Sequence, residues 1–193
     1  MIAYFNSAFE QLEQKVLEGS VCFPKKLWLC MQQFFQNLHW ENFLKDMEVN
    51  PVPFTFVHGD FHPGNVMWMP GDPVCPLRII DWEMVGVGSG PQELGQFMIE
   101  FLDHKRHGLD VHKYLVSAYH KELLNANPNI DFTFEACFRE FAVGGISDWM
   151  RLLPELLERM EWKPDAAAYF LNQLETFREL HCIDPEMVSY PNQ

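Results

Sequence analysis

The 193-residue chain is 48% hydrophobic, with six Trp, 17 Phe and ten Met, a composition that excludes intrinsic disorder and supplies one sizeable core. Its 14 Lys and Arg against 27 Asp and Glu leave a formal charge of −13. That balance excludes electrostatic capture of nucleic acid or an anionic membrane, and it suits either a cationic small molecule or plain solubility. Cys22, Cys30, Cys75, Cys137 and Cys182 are odd in number and form no C-x-x-C pair, which excludes a disulfide framework and a zinc cluster and fits a reducing, cytoplasmic setting.

The amino-terminal stretch has Glu10 and Glu13 where a leader would carry a basic flank and an apolar run. No later stretch approaches the roughly 18 apolar residues of a membrane helix, so no membrane partner is expected. Over 6–46 the pattern is helical, with Phe9, Leu12 and Val16 as one apolar stripe. After a break at 19–24, Leu27, Leu29, Met31, Phe34, Phe35 and Leu38 form a second. Pro51 and Pro53 close this helical zone. The aromatic and β-branched run 54–57 predicts a strand that enters a loop at His58, Gly59 and Asp60. A second strand is predicted over 66–69, and Pro70-Gly71-Asp72-Pro73 supplies turn chemistry before a third strand, 77–80, which ends on Asp81. From Pro91 onward helices are predicted over 91–104, 109–126, 132–160 and 164–181. The expected fold class is α+β, mostly helical, with one small β unit carrying polar loops at its end.

Phosphoryl transfer asks little covalent chemistry of a protein. It needs a carboxylate that orients the attacking hydroxyl, and oxygen ligands that hold magnesium against the phosphates. Asp60 and Asn65 lie five positions apart in a loop shaped by Gly59, Pro63 and Gly64, so a carboxylate and an amide can converge. Asp81 brings a second carboxylate to the end of a following strand. Magnesium takes one or two carboxylates completed by water and phosphate oxygens, and Asp81 with Asn65 would form such a partial shell.

The strings HGDFHPGNVMW and RIIDWEMVGVGSGPQELGQF resemble the aminoglycoside phosphotransferase and choline kinase group. Its pattern is H-G-D-x-x-x-x-N, then I-D-W or I-D-F, then G-x-x-x-x-D-L. The resemblance implies the C-terminal lobe of a protein-kinase-like fold, with ATP as co-substrate and Mg2+ as cofactor. By the same resemblance Asp60 is the catalytic base, and Asn65 and Asp81 are the metal ligands, Asp81 corresponding to the aspartate of the kinase D-F-G motif. His58, Gly59, His62, Gly64 and Glu93 are expected to support the loop, with Glu93 standing where the family carries Asp.

Residues 54–98 carry these motifs, 1–50 read as a helical lead-in, and 99–193 as a helical subdomain, all within a single lobe. The segment before His58 shows no Gly-rich loop and no strand-borne Lys. The nucleotide-covering N-lobe is therefore expected to be missing, as in a truncated kinase, with self-association through the surface so bared. Glu83 is a candidate additional carboxylate. Asp148 and Trp149, with Glu155, Glu158 and Trp162, are candidates for a cationic substrate pocket.

Two other readings compete. One keeps the loop only as the scaffold of a catalytically inactive, pseudokinase-like interaction module. The other uses the alternating His58, Asp60 and His62 as metal ligands of a hydrolase.

Overall fold

The computed structural model of the chain describes residues 2–150, 152 and 164–188. Helix α1 (Ile2–Leu17) is followed by α2 (Lys25–Gln36) and α3 (Trp40–Val49). Strand β1 (Thr55–Val57) leads through a 3-10 turn (Pro63–Asn65) to β2 (Val66–Trp68) and β3 (Leu77–Ile79). A second 3-10 turn (Trp82–Met84) precedes β4 (Gly86–Gly88). Helices α4 (Gly90–Phe101), α5 (His104–Ala126), α6 (Phe134–Arg139) and α7 (Pro164–Leu180) complete the described chain.

The helical lead-in has the expected shape for a physical reason. In α2 the buried residues are Leu27, Cys30, Met31, Phe34 and Phe35, which is the i, i+3, i+4, i+7, i+8 spacing of one helix face. Phe9 of α1 stacks on Phe35 at 4.4 Å and on Trp28 at 5.6 Å, so the two predicted stripes meet. Helix α3 buries none of its side chains and ends just before Pro51 and Pro53.

The β unit differs from the single small sheet that the sequence predicts. The described strands form two separate two-stranded antiparallel sheets, β1 with β4 and β2 with β3. Phe56 faces Val87 in the first, and Met67 faces Arg78 in the second. The reason is β4: its sequence Gly86-Val87-Gly88 carries too little β propensity to be recognised, yet it claims β1 as its partner. The turn of the β2–β3 hairpin is held by Asp72, which accepts from the Val74 and Cys75 N–H groups and from Arg78 Nη2 at 2.6 Å.

Helix α4 is capped by Ser89, whose hydroxyl accepts from Gln92 N. Helix α5 is capped by Asp103, which accepts from Arg106 N, and it kinks at Gly108, where φ is 64°. The predicted helix 132–160 begins as α6 under a Thr133 cap, widens into a π turn over Glu140–Gly144 and returns to α-helix over 145–150. Most of its remainder lies outside the described residues. Helix α4 crosses the π turn at backbone contact. A Cβ on Gly95 would collide with the Phe141 carbonyl oxygen and lie 2.9 Å from Gly145 Cα.

A chain of imidazoles joins α5 to the end of α7. His104 Nδ1 lies 3.1 Å from His112 Nε2, and His112 Nδ1 lies 2.7 Å from His181 Nε2. Phe141 and Phe177 pack against these rings. Burial pushes His104 below the usual range. Burial, then the neighbouring His181, pushes His112 down to about 3, and burial followed by His104 pushes His181 down to about 4.

Two outcomes follow from this packing. Gly95→Ala is expected to lower stability by about 1–3 kcal/mol, read from the urea midpoint, because the helices cannot separate without losing core contacts. The three histidines are neutral when folded and take up protons near pH 6.5 when unfolded. The unfolded chain therefore binds more protons below that pH, and stability must fall as pH drops from about 6.5 toward about 4. Thermal melts over this range are expected to show the decline. His181→Gln is expected to make it shallower by up to one proton equivalent, about 1.4 kcal/mol per pH unit.

Candidate active site

The site is built where β1 ends against α4. Gly59 has φ 83°, and a Cβ there would collide with the Met84 carbonyl oxygen, so the turn out of β1 requires glycine twice over. The first turn of α4 carries Glu93. Its two carboxylate oxygens accept separately from His58 N at 3.1 Å and Gly59 N at 2.6 Å. These bonds fix the start of the loop to a helix that is itself locked into the core.

His58 ties the same loop to the end of β3. It is 3% exposed, its Nε2 donates to Ile80 O at 2.8 Å, and its Nδ1 accepts from Asp60 N at 3.3 Å. The Trp82 ring lies 4.7 Å away, and the Trp82 indole N–H donates to Ile79 O. Both ring nitrogens of His58 are thus committed to the backbone. A metal at His58, Asp60 and His62 would have to break these bonds, and among the described residues no group of three His, Cys, Asp or Glu side chains is arranged to hold a metal. The hydrolase reading loses its first ligand.

Asn65, at the end of the 3-10 turn, donates through Nδ2 to Asp60 O at 3.0 Å and to Asp60 Oδ2 at 3.3 Å. Its own carbonyl accepts from Ile80 N. His62 opens that turn by accepting from Gly64 N through Nδ1, and its Nε2 lies 3.6 Å from Asp60 Oδ2. Phe61 stacks on Phe97 at 4.9 Å, which seats the loop on the apolar side of α4.

Asp81 follows Ile80 directly, so its backbone is joined to both Asn65 and His58 through that residue. It adopts the left-handed conformation, φ 65° and ψ 58°, with no side-chain cap bond. Among the described residues Asp81 and Cys182 alone combine a positive φ with a side chain. Such strain persists only where surrounding bonds hold it, and it clusters at functional sites. The Asp81 carboxylate is exposed and makes no hydrogen bond or ion pair among the described residues.

The donor set fits a hard cation. With Nδ2 of Asn65 occupied by Asp60, the amide oxygen is the free end. No buried polar side-chain atom among the described residues lacks a partner, so that oxygen reaches the surface even though Asn65 is only 6% exposed. Amide and carboxylate oxygens are what magnesium selects.

The remaining candidates lie elsewhere. Glu83 is exposed within the second 3-10 turn. Trp149 is a core residue rather than a pocket wall. It is buried, packs edge-on to Phe170 at 4.6 Å, and its indole N–H is spent on Gln96 O. Asp148 beside it is partly buried. Glu155, Glu158 and Trp162 lie outside the described residues. Burial pushes Cys30 up to about 11 and Cys137 up to about 12, so neither thiol is a nucleophile. Trp82 escaped the sequence reading as a structural partner of His58, although its place directly after Asp81 was the available signal.

Residues 14–117 match the model of the phosphotransferase enzyme family. The match spans more than half of the chain, from α1 into α5, and the chain belongs to that family. No curated protein and no solved structure matches it. No helix among the described residues is long and apolar enough to cross a membrane.

Glu93→Ala would leave the part-buried His58 N–H without an acceptor, worth about 1–3 kcal/mol when unpaired, and would leave the exposed Gly59 N–H to water. Amide exchange at His58 and Gly59 is expected to accelerate at least tenfold in this variant, while exchange in α2 stays unchanged.

Proposed function

We propose that the chain is the catalytic lobe of a magnesium- and ATP-dependent kinase that transfers the γ-phosphoryl group to a hydroxyl of a small, cationic metabolite or aminoglycoside-like compound. The observation that carries this reading is the turned amide of Asn65. Its nitrogen holds Asp60, and its oxygen has no partner among the described residues, which leaves it free to act as a ligand.

In this reading Asp60 accepts a hydrogen bond from the acceptor hydroxyl and takes its proton as the oxygen bonds to the γ-phosphorus and the bond to the leaving ADP oxygen breaks. Asn65 Oδ1 and the Asp81 carboxylate would hold a magnesium ion, which would supply neutralising charge for the transferring phosphates. His58, Gly59 and Glu93 position the loop and touch no substrate. Membership of the phosphotransferase family supports the reaction class, and the formal charge of −13 supports a cationic acceptor.

A second reading, an interaction module without turnover, is favoured by the apolar side chains that both two-stranded sheets expose, among them Phe56 at 80% and Trp68 at 63%. Under it these faces dock a partner or a second copy of the chain.

Calorimetric titration with Mg–ATP separates the two. The kinase reading expects binding that Asp81→Asn abolishes, and phosphate transfer to amino alcohols or aminoglycosides that Asp60→Asn slows by about 10²- to 10⁴-fold. A folded, monodisperse protein that neither binds Mg–ATP nor transfers phosphate would overturn the kinase reading and leave the interaction module.

A further inference from the structure

The three-histidine chain has a direction. Ile99 O lies 3.2 Å from His104 Nε2, and a carbonyl can only accept, so His104 carries its proton on Nε2 and offers a lone pair at Nδ1. His112 Nε2 is the atom facing that lone pair and must donate. Its Nδ1 is then the acceptor for His181 Nε2. Because burial keeps all three rings neutral, one set of tautomers satisfies the whole chain. The series ends at His181 Nδ1, which is left as an acceptor.

That acceptor has no partner among the described residues. The His181 ring makes no other polar contact among the described residues, whereas every buried polar side-chain atom there has a partner. The Nδ1 atom is therefore accessible. His181 forms part of the wall of a groove of about 290 Å³, whose other walls include Phe134, Phe138, Val143 and Met187. Phe134 and Phe138 stack at 5.8 Å, which presents aromatic surface to the groove. Glu135 and Arg139, one helical turn apart and of opposite charge, also line it, so the lining favours neither a cation nor an anion. None of the elements around it carries Asp60, Asn65 or Asp81.

We propose that this groove, between α6, the π turn and the segment after α7, is a binding site for an uncharged aromatic alcohol whose hydroxyl donates to His181 Nδ1. Each part of the ligand answers one feature. An apolar ring system of about two rings fits the volume and the phenylalanine walls. A single donor meets the His181 Nδ1 lone pair, which has no partner among the described residues. An ether or a hydrocarbon of the same shape leaves that nitrogen without a partner once water is displaced. Polarisation along the chain strengthens the terminal acceptor, because each imidazole N–H donates into the next ring. The site is independent of the kinase reading.

The probes are 2-naphthol and 2-methoxynaphthalene, which share a ring system but differ in the donor. Long-range proton–nitrogen spectra of the full chain labelled with 15N-histidine, at pH 7.5, are expected to show His104, His112 and His181 all as Nε2–H tautomers. Addition of 2-naphthol is expected to shift His181 Nδ1 saturably, with 2-methoxynaphthalene binding at least tenfold more weakly. Met187→Trp, at a partly exposed position on the groove wall, is expected to weaken 2-naphthol at least tenfold while leaving the three tautomers unchanged. The proposal is overturned if His181 is the Nδ1–H tautomer. Equal binding of the two probes, or a 2-naphthol shift that Met187→Trp does not alter, overturns it as well.

Discussion

Two backbone N–H groups at the end of β1 point at one carboxylate, and the rest of the site depends on that contact. Glu93 holds His58 N and Gly59 N from the first turn of α4, while the His58 ring spans to Ile80. The loop that carries Asp60 is thereby clamped between a helix and the end of a strand. Without the clamp, a loop with glycine at 59 and 64 would sample many conformations, and the bond from Asn65 to Asp60 would have no fixed partner. The extra methylene of glutamate, compared with the aspartate of the family pattern, still allows each oxygen to meet one N–H. The departure from the motif is absorbed by geometry rather than by loss of the contact.

The clamp is only as rigid as α4, and α4 owes its position to close packing. Gly95 lies against Phe141 and Gly145 with no room for a side chain, and Met98 and Ile99 are buried one turn further on. The π turn at Glu140–Gly144 shifts the helical register within this contact, and such insertions change which face a helix presents on either side. Glu140 is one result. Burial raises its carboxyl above the usual range, opposed by hydrogen bonding to Ser89, which is also the cap of α4. An ionisable group is thus set against the same helix terminus that carries Glu93, joining the packing of the helical subdomain to the β unit.

The sequence revealed the helices whose apolar spacing is unbroken, such as α2, and the order of loop and strand from Thr55 to Asp81. It could not reveal β4, because strand pairing compensates for two glycines that local propensity counts against it. Nor could it separate the β unit into two two-stranded sheets, since strand pairing is a tertiary choice. Among site residues, the proximity of Asp60 and Asn65 follows from five-residue spacing in a tight loop. The engagement of both His58 nitrogens does not, because Ile80 O is 22 residues away. Trp149 illustrates the opposite error: an aromatic beside an acid reads as a cation pocket, yet its indole N–H meets the Gln96 carbonyl inside the core.

Asp81 shows how strain and fixation combine. The left-handed backbone of a non-glycine residue costs about 1–3 kcal/mol, and the Asp81 side chain makes no bond among the described residues to offset it. The compensation comes from its neighbours. Ile80 is held on both its N–H and its carbonyl, and Trp82 is held by its indole bond to Ile79 O and by its packing on His58. With both flanks fixed, the peptide between them has little choice of conformation, and the carboxylate is directed outward instead of folding back as a cap. A relaxed Asp at this position would cap the 3-10 turn that follows and neutralise itself as an acceptor. The strain therefore keeps a carboxylate available where the chain could otherwise have consumed it.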